Sequence, residues 1–329
     1  MLTFVIIIIF IALLFDFLNG MNDAANSIAT VVSTRVLTPR QAVIWAAFFN
    51  FIAAFGFGVH VATTIGKGIV EASIISNELI FSTLIGASLW THFCTHYGLP
   101  ISVSHSLIGG LIGSGLVKAG FDGLVAGGII KVSIFIFLSP LVGFVFGLLL
   151  MVTVMWLFRN FSPRSVDRTF RFGQLFSAAA YSLGHGTNDA QKTMGIIAIV
   201  LYTNGMLGSE FYVPFWVIIA AHTAIGLGTL AGGWRVIKTL GMKLTHLRPV
   251  GGFCAESSSA LVLLGTALFG IPVSTTHTIS GAIMGVGSTQ RVSGVRWGVA
   301  GKIILAWVFT IPASAIVSAI IFELLNLLM

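Results

Sequence analysis

Apolar positions run almost without relief along this chain. Where relief comes, it follows neither the two-residue alternation of a half-buried strand nor the stripe of a soluble amphipathic helix. The first stretch, LTFVIIIIFIALLF at 2–15, is followed by others that approach about 20 residues, enough to carry a helix across roughly 30 Å of hydrocarbon. The pattern predicts helical spans over 2–33, 41–65, 79–97, 101–117, 123–158, 173–202, 211–233, 250–269, 272–288 and 297–327. Continuous rather than alternating hydrophobicity excludes a β-barrel. Glycines and polar residues interrupt several spans, which predicts broken or re-entrant helices. The stretch 123–158 is too long for one crossing and reads as an interfacial turn followed by a span. The fold class is an all-α polytopic membrane protein of roughly 10–12 membrane segments.

Composition agrees. Of 329 residues 56% are hydrophobic and only 8% charged, more apolar surface than one soluble core hides. The net charge of +7 would suit nucleic acid, but the basic residues cluster in loops between spans, so the excess reads as membrane topology. Cys94 and Cys254 lie in apolar segments, which excludes a disulfide framework. The first charged residue is Asp16 and the first basic one Arg35, so the N-terminal run lacks a signal peptide's basic start and is expected to be a retained helix.

The chain repeats itself. GMNDAA at 20–25 recurs as GTNDAQ at 186–191, and GLPISVSHSLIG at 98–109 recurs as GIPVSTTHTISG at 270–281, in the same order and at nearly the same separation. The expected organisation is a first repeat over 1–158, a basic cytoplasmic connecting loop over 159–172, and a second repeat over 173–329. Loop charge relates the halves. Arg35 and Arg40 follow the first NDAA span, whereas its counterpart at 203–212 carries Glu210; Lys67, Glu71 and Glu78 in 66–78 face Arg235, Lys238, Lys243 and Arg248 in 235–248. Basic loops pair with acidic ones, so equivalent loops lie on opposite sides and the repeats are inverted. Both termini are then expected outside. Inverted repeats with interrupted helices are the architecture of secondary transporters.

Within the repeats, polar residues stand where lipid-spanning helices ordinarily carry leucine. Asn22, Asp23 and Asn26, with Asn188 and Asp189, read either as hydrogen-bond glue between helices or as a cation site. Carboxylate and amide oxygens beside glycines that let the backbone unwind suit a dehydrated hard cation. The paired Pro-Ser segments predict helices capped by Ser102 and Ser274, whose free N–H groups and dipole would hold an anion, with Ser104, Thr275 and Thr276 adding hydroxyls. His105 and His277 hold matched positions and read equally as proton acceptors or as hydrogen-bonding support; His60, His92, His96 and His222 have no repeat partner and read as packing residues. Glu256 heads an apolar run and reads as a contact for a cation or a phosphate proton, Lys192 as a substrate counter-ion or a snorkelling side chain, and Asp16 and Glu323 as weaker candidates. The spacings Gly109–Gly113 and Gly281–Gly285 suit close helix packing.

These motifs resemble those of the inorganic phosphate transporter (PiT) family, whose GANDVANA signature is similar to Gly20–Ser27 and, in a second copy, to Gly186–Lys192. HGTNDAQKTMG at 185–195 resembles the bacterial form, and the P-x-S-x-[ST]-H segments at 100–105 and 272–277 match too. The first copy departs at Met21 and the second at Gln191 and Lys192; Asn50 stands where animal members carry a glutamate, and their long central loop is missing.

The resemblance implies a symporter of inorganic phosphate driven by Na⁺ or H⁺, with Na⁺ favoured. It also implies a homodimer in the inner membrane, with no organic cofactor, no catalytic activity and no nucleic-acid partner; no cytosolic regulator can be named. Expected phosphate-binding residues are Ser102, Val103, Ser104, Ser274, Thr275, Thr276, Asn22, Asn188 and Gln191. Expected Na⁺ ligands are Asp23, Asn26, Asp189, Glu256, Thr278 and Ser106, with His105 and His277 as proton or site support. Rival readings are a sulfate or arsenate transporter, an intramembrane aspartyl protease with Asp23 and Asp189 as its dyad, and a receptor or scaffold.

Overall fold

The computed structural model describes residues 2–56, 58, 59, 61, 62, 68–208, 210–271 and 273–328. His60 and Lys67, part of the readings above, lie outside them, as does Pro272 of the second Pro-Ser motif. Helices are α1 (Leu2–Ser33), α2 (Pro39–Ile52), α3 (Asn77–Tyr97), α4 (Val103–Ala119), α5 (Ala126–Leu157) and α6 (Pro163–Thr203). They continue as α7 (Phe215–Ala231), α8 (Trp234–Lys238), α9 (Pro249–Leu268), α10 (Thr275–Ser288) and α11 (Trp297–Leu328). Among the described residues, α1, α5, α9 and α11 are long and apolar enough to cross a membrane; α7 and the segment Trp234–Lys243, bent by 63°, form a fifth such unit. Large apolar side chains such as Phe10, Phe137, Leu141 and Phe309 face outward, as a bilayer requires.

Local chemistry sets the boundaries. Thr38 and Gln41 form a reciprocal capping box ahead of α2, with Pro39 opening the helix. Ser102 and Ser274 accept from the backbone N–H of His105 and His277, which makes them the N-caps of α4 and α10. Gly98 ends α3 at φ 69°, a left-handed conformation that glycine adopts without steric cost.

Several expectations need correction. The stretch 159–172 is not a loop: only Arg159–Ser162 lie outside helix, because Ser162 caps and Pro163 opens α6 with no lost hydrogen bond. The interval 123–158, by contrast, is as expected a turn followed by a span: a 3₁₀ turn over Gly120–Gly123 and then one unbroken helix, α5, with Pro140 inside it. The 41–65 span is not one continuous helix: α2 stops at Ile52 and gives way to a 3₁₀ turn over Ala53–Phe55, Val61 and Ala62 are helical again, and 57, 60 and 63–65 lie outside the described residues. The segment 235–248, read as loop, begins inside the short helix α8.

The most consequential correction concerns GMNDAAN and GTNDAQ. Both sit in uninterrupted α-helix, within α1 and α6. Their glycines serve approach instead of unwinding: a Cβ on Gly20 would lie 2.1 Å from the Ile225 carbonyl oxygen of α7, and one on Gly186 would lie 2.6 Å from that of Asn50 on α2. The breaks fall instead at the Pro-Ser motifs, where α3 turns into α4 and α9 into α10 as two helical hairpins.

Packing shows the repeat in three dimensions. The first-repeat helices α1, α2, α3, α4 and α5 correspond to α6, α7, α9, α10 and α11. The contacts of α1 with α7, α1 with α3, and α4 with α11 have counterparts in those of α6 with α2, α6 with α9, and α10 with α5. Each short hairpin helix therefore lies along the last helix of the other repeat. Gly109 and Gly113 bring α4 against the backbone of Ile311 and Ala315, while Gly281 and Gly285 bring α10 against Pro140 and Phe144. Among the described residues two apolar clusters form, one around Ile28, Cys254 and Ile283 and one around Ile8, Leu84 and Ile197. The middles of α1 and α6 bring a buried polar layer between them.

Candidate ion and anion site

Helical periodicity aims the polar residues of α1 and α6 the same way. Asn19, Asn22, Asp23 and Asn26 recur at three- and four-residue spacing on one face of α1, as His185, Asn188, Asp189 and Lys192 do on α6. All eight are buried. The α10 tip meets both aspartates. Thr275 Oγ1 lies 3.0 Å from Asp189 Oδ2 and 3.3 Å from Asp23 Oδ2, and Thr276 Oγ1 lies 3.1 Å from Asp23 Oδ1. Each hydroxyl has one hydrogen to give, so Thr275 serves one carboxylate at a time. Thr276 Oγ1 also lies 2.9 Å from the Ile101 carbonyl and accepts from Asn26 Nδ2 at 2.9 Å.

Two cationic or protonatable side chains complete the centre, and sequence reasoning undervalued both. His185 Nε2 sits 3.2 Å from Asp189 Oδ2 and 3.7 Å from Asp23 Oδ2, while its Nδ1 meets Asn50 Oδ1 at 3.1 Å. Asp23, His185 and Asp189 converge closely enough to bind one metal ion. The sequence signal was available: His185 precedes Asp189 by one helical turn. Lys192 Nζ bonds to Asp189 Oδ1, to Ser104 Oγ at 2.5 Å, and to the Val273 carbonyl at 3.3 Å. With only 2% of its side chain exposed, it does not snorkel.

The tips of the two hairpins touch. The rings of His105 and His277 meet edge to face at 4.8 Å, and His277 stacks on Trp307 at 4.0 Å. Trp307 in turn donates to the Pro100 carbonyl at 2.9 Å. His105 Nδ1 and both ring nitrogens of His277 have no hydrogen-bond partner among the described residues.

The remaining expected site residues divide. Asn22 donates to Thr95 Oγ1 at 2.7 Å and Asn188 to the Leu263 carbonyl at 2.9 Å, each pinning its long helix to the neighbouring hairpin. The carbonyl oxygens of Asn22, Asn26 and Asn188 are buried with no hydrogen-bond partner among the described residues, which leaves them available as ligands. Gln191 turns elsewhere, accepting from the backbone N–H of Val61 and Ala62. Thr278 donates to the Ser274 carbonyl of its own helix, while the Ser106 carbonyl accepts from Ser314; neither side chain bonds to an aspartate. Val103 is buried in the first turn of α4.

Glu256 does not join Asp23 and Asp189. Thr30 and Ser177 donate to it at 2.5 Å each and Gln174 at 3.0 Å, so hydroxyl and amide donors tie α1, α6 and α9 together. Thr30 lies about 10 Å further along α1 than Asp23 at 1.5 Å per residue. Asp16, two turns before Asp23, is fully buried with neither oxygen partnered among the described residues.

Comparison with known proteins places this geometry. Residues 19–318 match the phosphate transporter family. A protein of Rhizobium meliloti named "Probable low-affinity inorganic phosphate transporter" is 58% identical over 95% of this chain and 94% of its own length. A protein of Bacillus subtilis with the same name is 43% identical over 100% of this chain and 99% of its own. A solved structure described as "The sodium-dependent phosphate transporter" superposes with a TM-score of 0.91 at 28% identity, covering 99% of this chain and 100% of that one.

Proposed function

The chain belongs to the phosphate transporter family, and from that premise we propose that it imports inorganic phosphate across the inner membrane by sodium symport. One observation carries the reading. The hydroxyls of the α10 tip, suited to an anion, are hydrogen-bonded to Asp23 and Asp189, the carboxylates suited to a cation.

Coupling follows from that sharing. A sodium ion on Asp23, completed by the free carbonyl oxygens of Asn22 and Asn26, takes lone pairs that now accept from Thr275 and Thr276. The released hydroxyls turn to a phosphate at the two hairpin tips, where the first N–H groups of α4 and α10 have no helical partner. Phosphate alone would meet two carboxylates; with sodium in place their charge is offset. Ser102 and Ser274 hold the helix ends in shape, and Ser104 is the first-hairpin counterpart of Thr276. Alternating access is a movement of one helix group past the other about this layer.

The two halves, 1–158 and 173–329, are read as inverted repeats with both termini outside and 159–172 cytoplasmic. A homodimer, which the family resemblance implies, is part of the proposal. Of the rivals, sulfate offers no proton to donate, whereas phosphate does, so an acid-rich centre favours phosphate. A protease dyad leaves the two Pro-Ser hairpins and Lys192 without a role.

Uptake of labelled phosphate into proteoliposomes tests the proposal. Accumulation should follow an inward Na⁺ gradient and should be competed by arsenate, an isostere, far better than by sulfate. Uptake indifferent to sodium at fixed pH would overturn the coupling.

A further inference from the structure

Asn26 and Lys192 hold the same place in the two repeats, each three residues after its aspartate. Around Asn26 the chain builds a triad: Asn26 Nδ2 donates to Thr276 Oγ1, and Thr276 donates toward Asp23 Oδ1. The second copy has lysine for asparagine and serine for threonine at the matching positions, and there Lys192 Nζ bonds to both Ser104 Oγ and Asp189 Oδ1. Ser104 and Thr276 are themselves matched, each the second residue after its capping serine.

The difference between the triads is chemical. Asn26 leaves its carbonyl oxygen buried and without a hydrogen-bond partner among the described residues, an acceptor available to a cation. Lys192 brings no acceptor; it brings the cation. Its three hydrogens are taken up by Asp189, Ser104 and the Val273 carbonyl, and its side chain is sealed from solvent. A sodium ion placed on Asp189 and Ser104 would have to displace this ammonium from the same oxygens and then sit beside it, with water too scarce to screen the two charges.

We propose that Lys192 is a tethered counter-ion occupying the cation position of the second repeat, so that one sodium site, on the Asp23 side, is left where a symmetrical pair would bind two. The inference rests on reading Asp23 as a sodium ligand. It bears on stoichiometry: the ammonium stays with the protein through each cycle, and one positive charge fewer crosses with every phosphate.

Equilibrium binding of ²²Na⁺ to the purified protein in saturating phosphate, alongside thermal melts, tests it. The wild-type protein should bind about one sodium per chain. Lys192→Asn, which copies the first repeat, should bind about two, and the sodium dependence of its phosphate uptake should steepen toward a Hill coefficient of about 2. A folded Lys192→Asn protein that still binds one, or a wild-type protein that binds two, would overturn the proposal. Should Lys192→Asn fail to fold, the charge-removed pair Asp189→Asn/Lys192→Met answers the same question. It should retain the single sodium, and loss of that ion from the folded double variant would overturn the proposal. A wild-type protein that binds no sodium would instead remove the Asp23 reading itself.

Discussion

Thr276 Oγ1 lies 3.1 Å from Asp23 Oδ1, so a hydroxyl at the tip of the second repeat's hairpin is bonded to the long first helix of the other repeat. Ser104, its counterpart, reaches across in the opposite sense to Lys192. The site is therefore built from exchanged parts, and the two aspartates within it, which share Thr275 and His185, differ in one partner: Thr276 for Asp23 and Lys192 for Asp189.

That difference predicts different failures. Asp189→Asn leaves the Lys192 ammonium buried without its carboxylate, and breaking a buried pair costs about 3–5 kcal/mol. Asp23→Asn strands no fixed cation. Thermal melts should show Asp189→Asn much the less stable, while Asp23→Asn stays folded and loses sodium-driven phosphate uptake. Wild-type transport by Asp23→Asn would contradict its assignment as a sodium ligand.

Ser104→Ala and Thr276→Ala should each weaken phosphate binding by about 1–3 kcal/mol, roughly 5- to 150-fold, as expected for a lost hydrogen bond to a buried charge. Acting on one anion, the two should depart from additivity when combined. Calorimetry with phosphate reads the effect. Unchanged affinity with lowered melting temperatures would return both hydroxyls to a purely structural role.

Gly20→Ala tests the helix contact behind the site. The added methyl would lie 2.1 Å from the Ile225 carbonyl oxygen, a backbone atom that no side-chain rotation moves aside. Overpacking of this kind costs about 1–3 kcal/mol. The melting temperature should fall and the sodium affinity with it, since α1 carries Asp23 only one turn further on. An unchanged melt would show that α1 and α7 separate freely.

Much of this was legible in the sequence, for physical reasons. Lipid imposes a continuous apolar demand, so α1 occupies 2–33 as expected and α11 differs by one residue at one end. Capping is local chemistry, so Ser102 and Ser274 could be identified from the residues beside them. Gly20 was misread because a glycine's use depends on what approaches it; the approaching backbone, α7, lies some 200 residues away along the chain. Glu256 was grouped with the aspartates because an acid in an apolar run is costly wherever it sits, and only the fold shows that Thr30, Gln174 and Ser177 meet it. The pairing of Lys192 with Ser104 joins the two repeats, and no local pattern encodes it.

Cysteine labelling from outside intact cells tests the arrangement in the membrane. Both native cysteines are buried, so introduced ones should dominate the signal. Positions 71 and 210 should react with an impermeant reagent, and positions 164 and 243 should react only after permeabilisation; all four residues are exposed. Labelling of position 243 from outside would overturn the inverted orientation.

The lodging of α4 along α11, and of α10 along α5, bears on descent. Each half of the chain is sealed by a helix that belongs to the other half, so neither could close its own interior. Two copies of a half-length ancestor, inserted in opposite directions, would have met this requirement by clasping one another. Joined end to end, such copies become free to diverge at single positions, and asparagine at 26 against lysine at 192 is a difference that a dimer of identical halves could not carry.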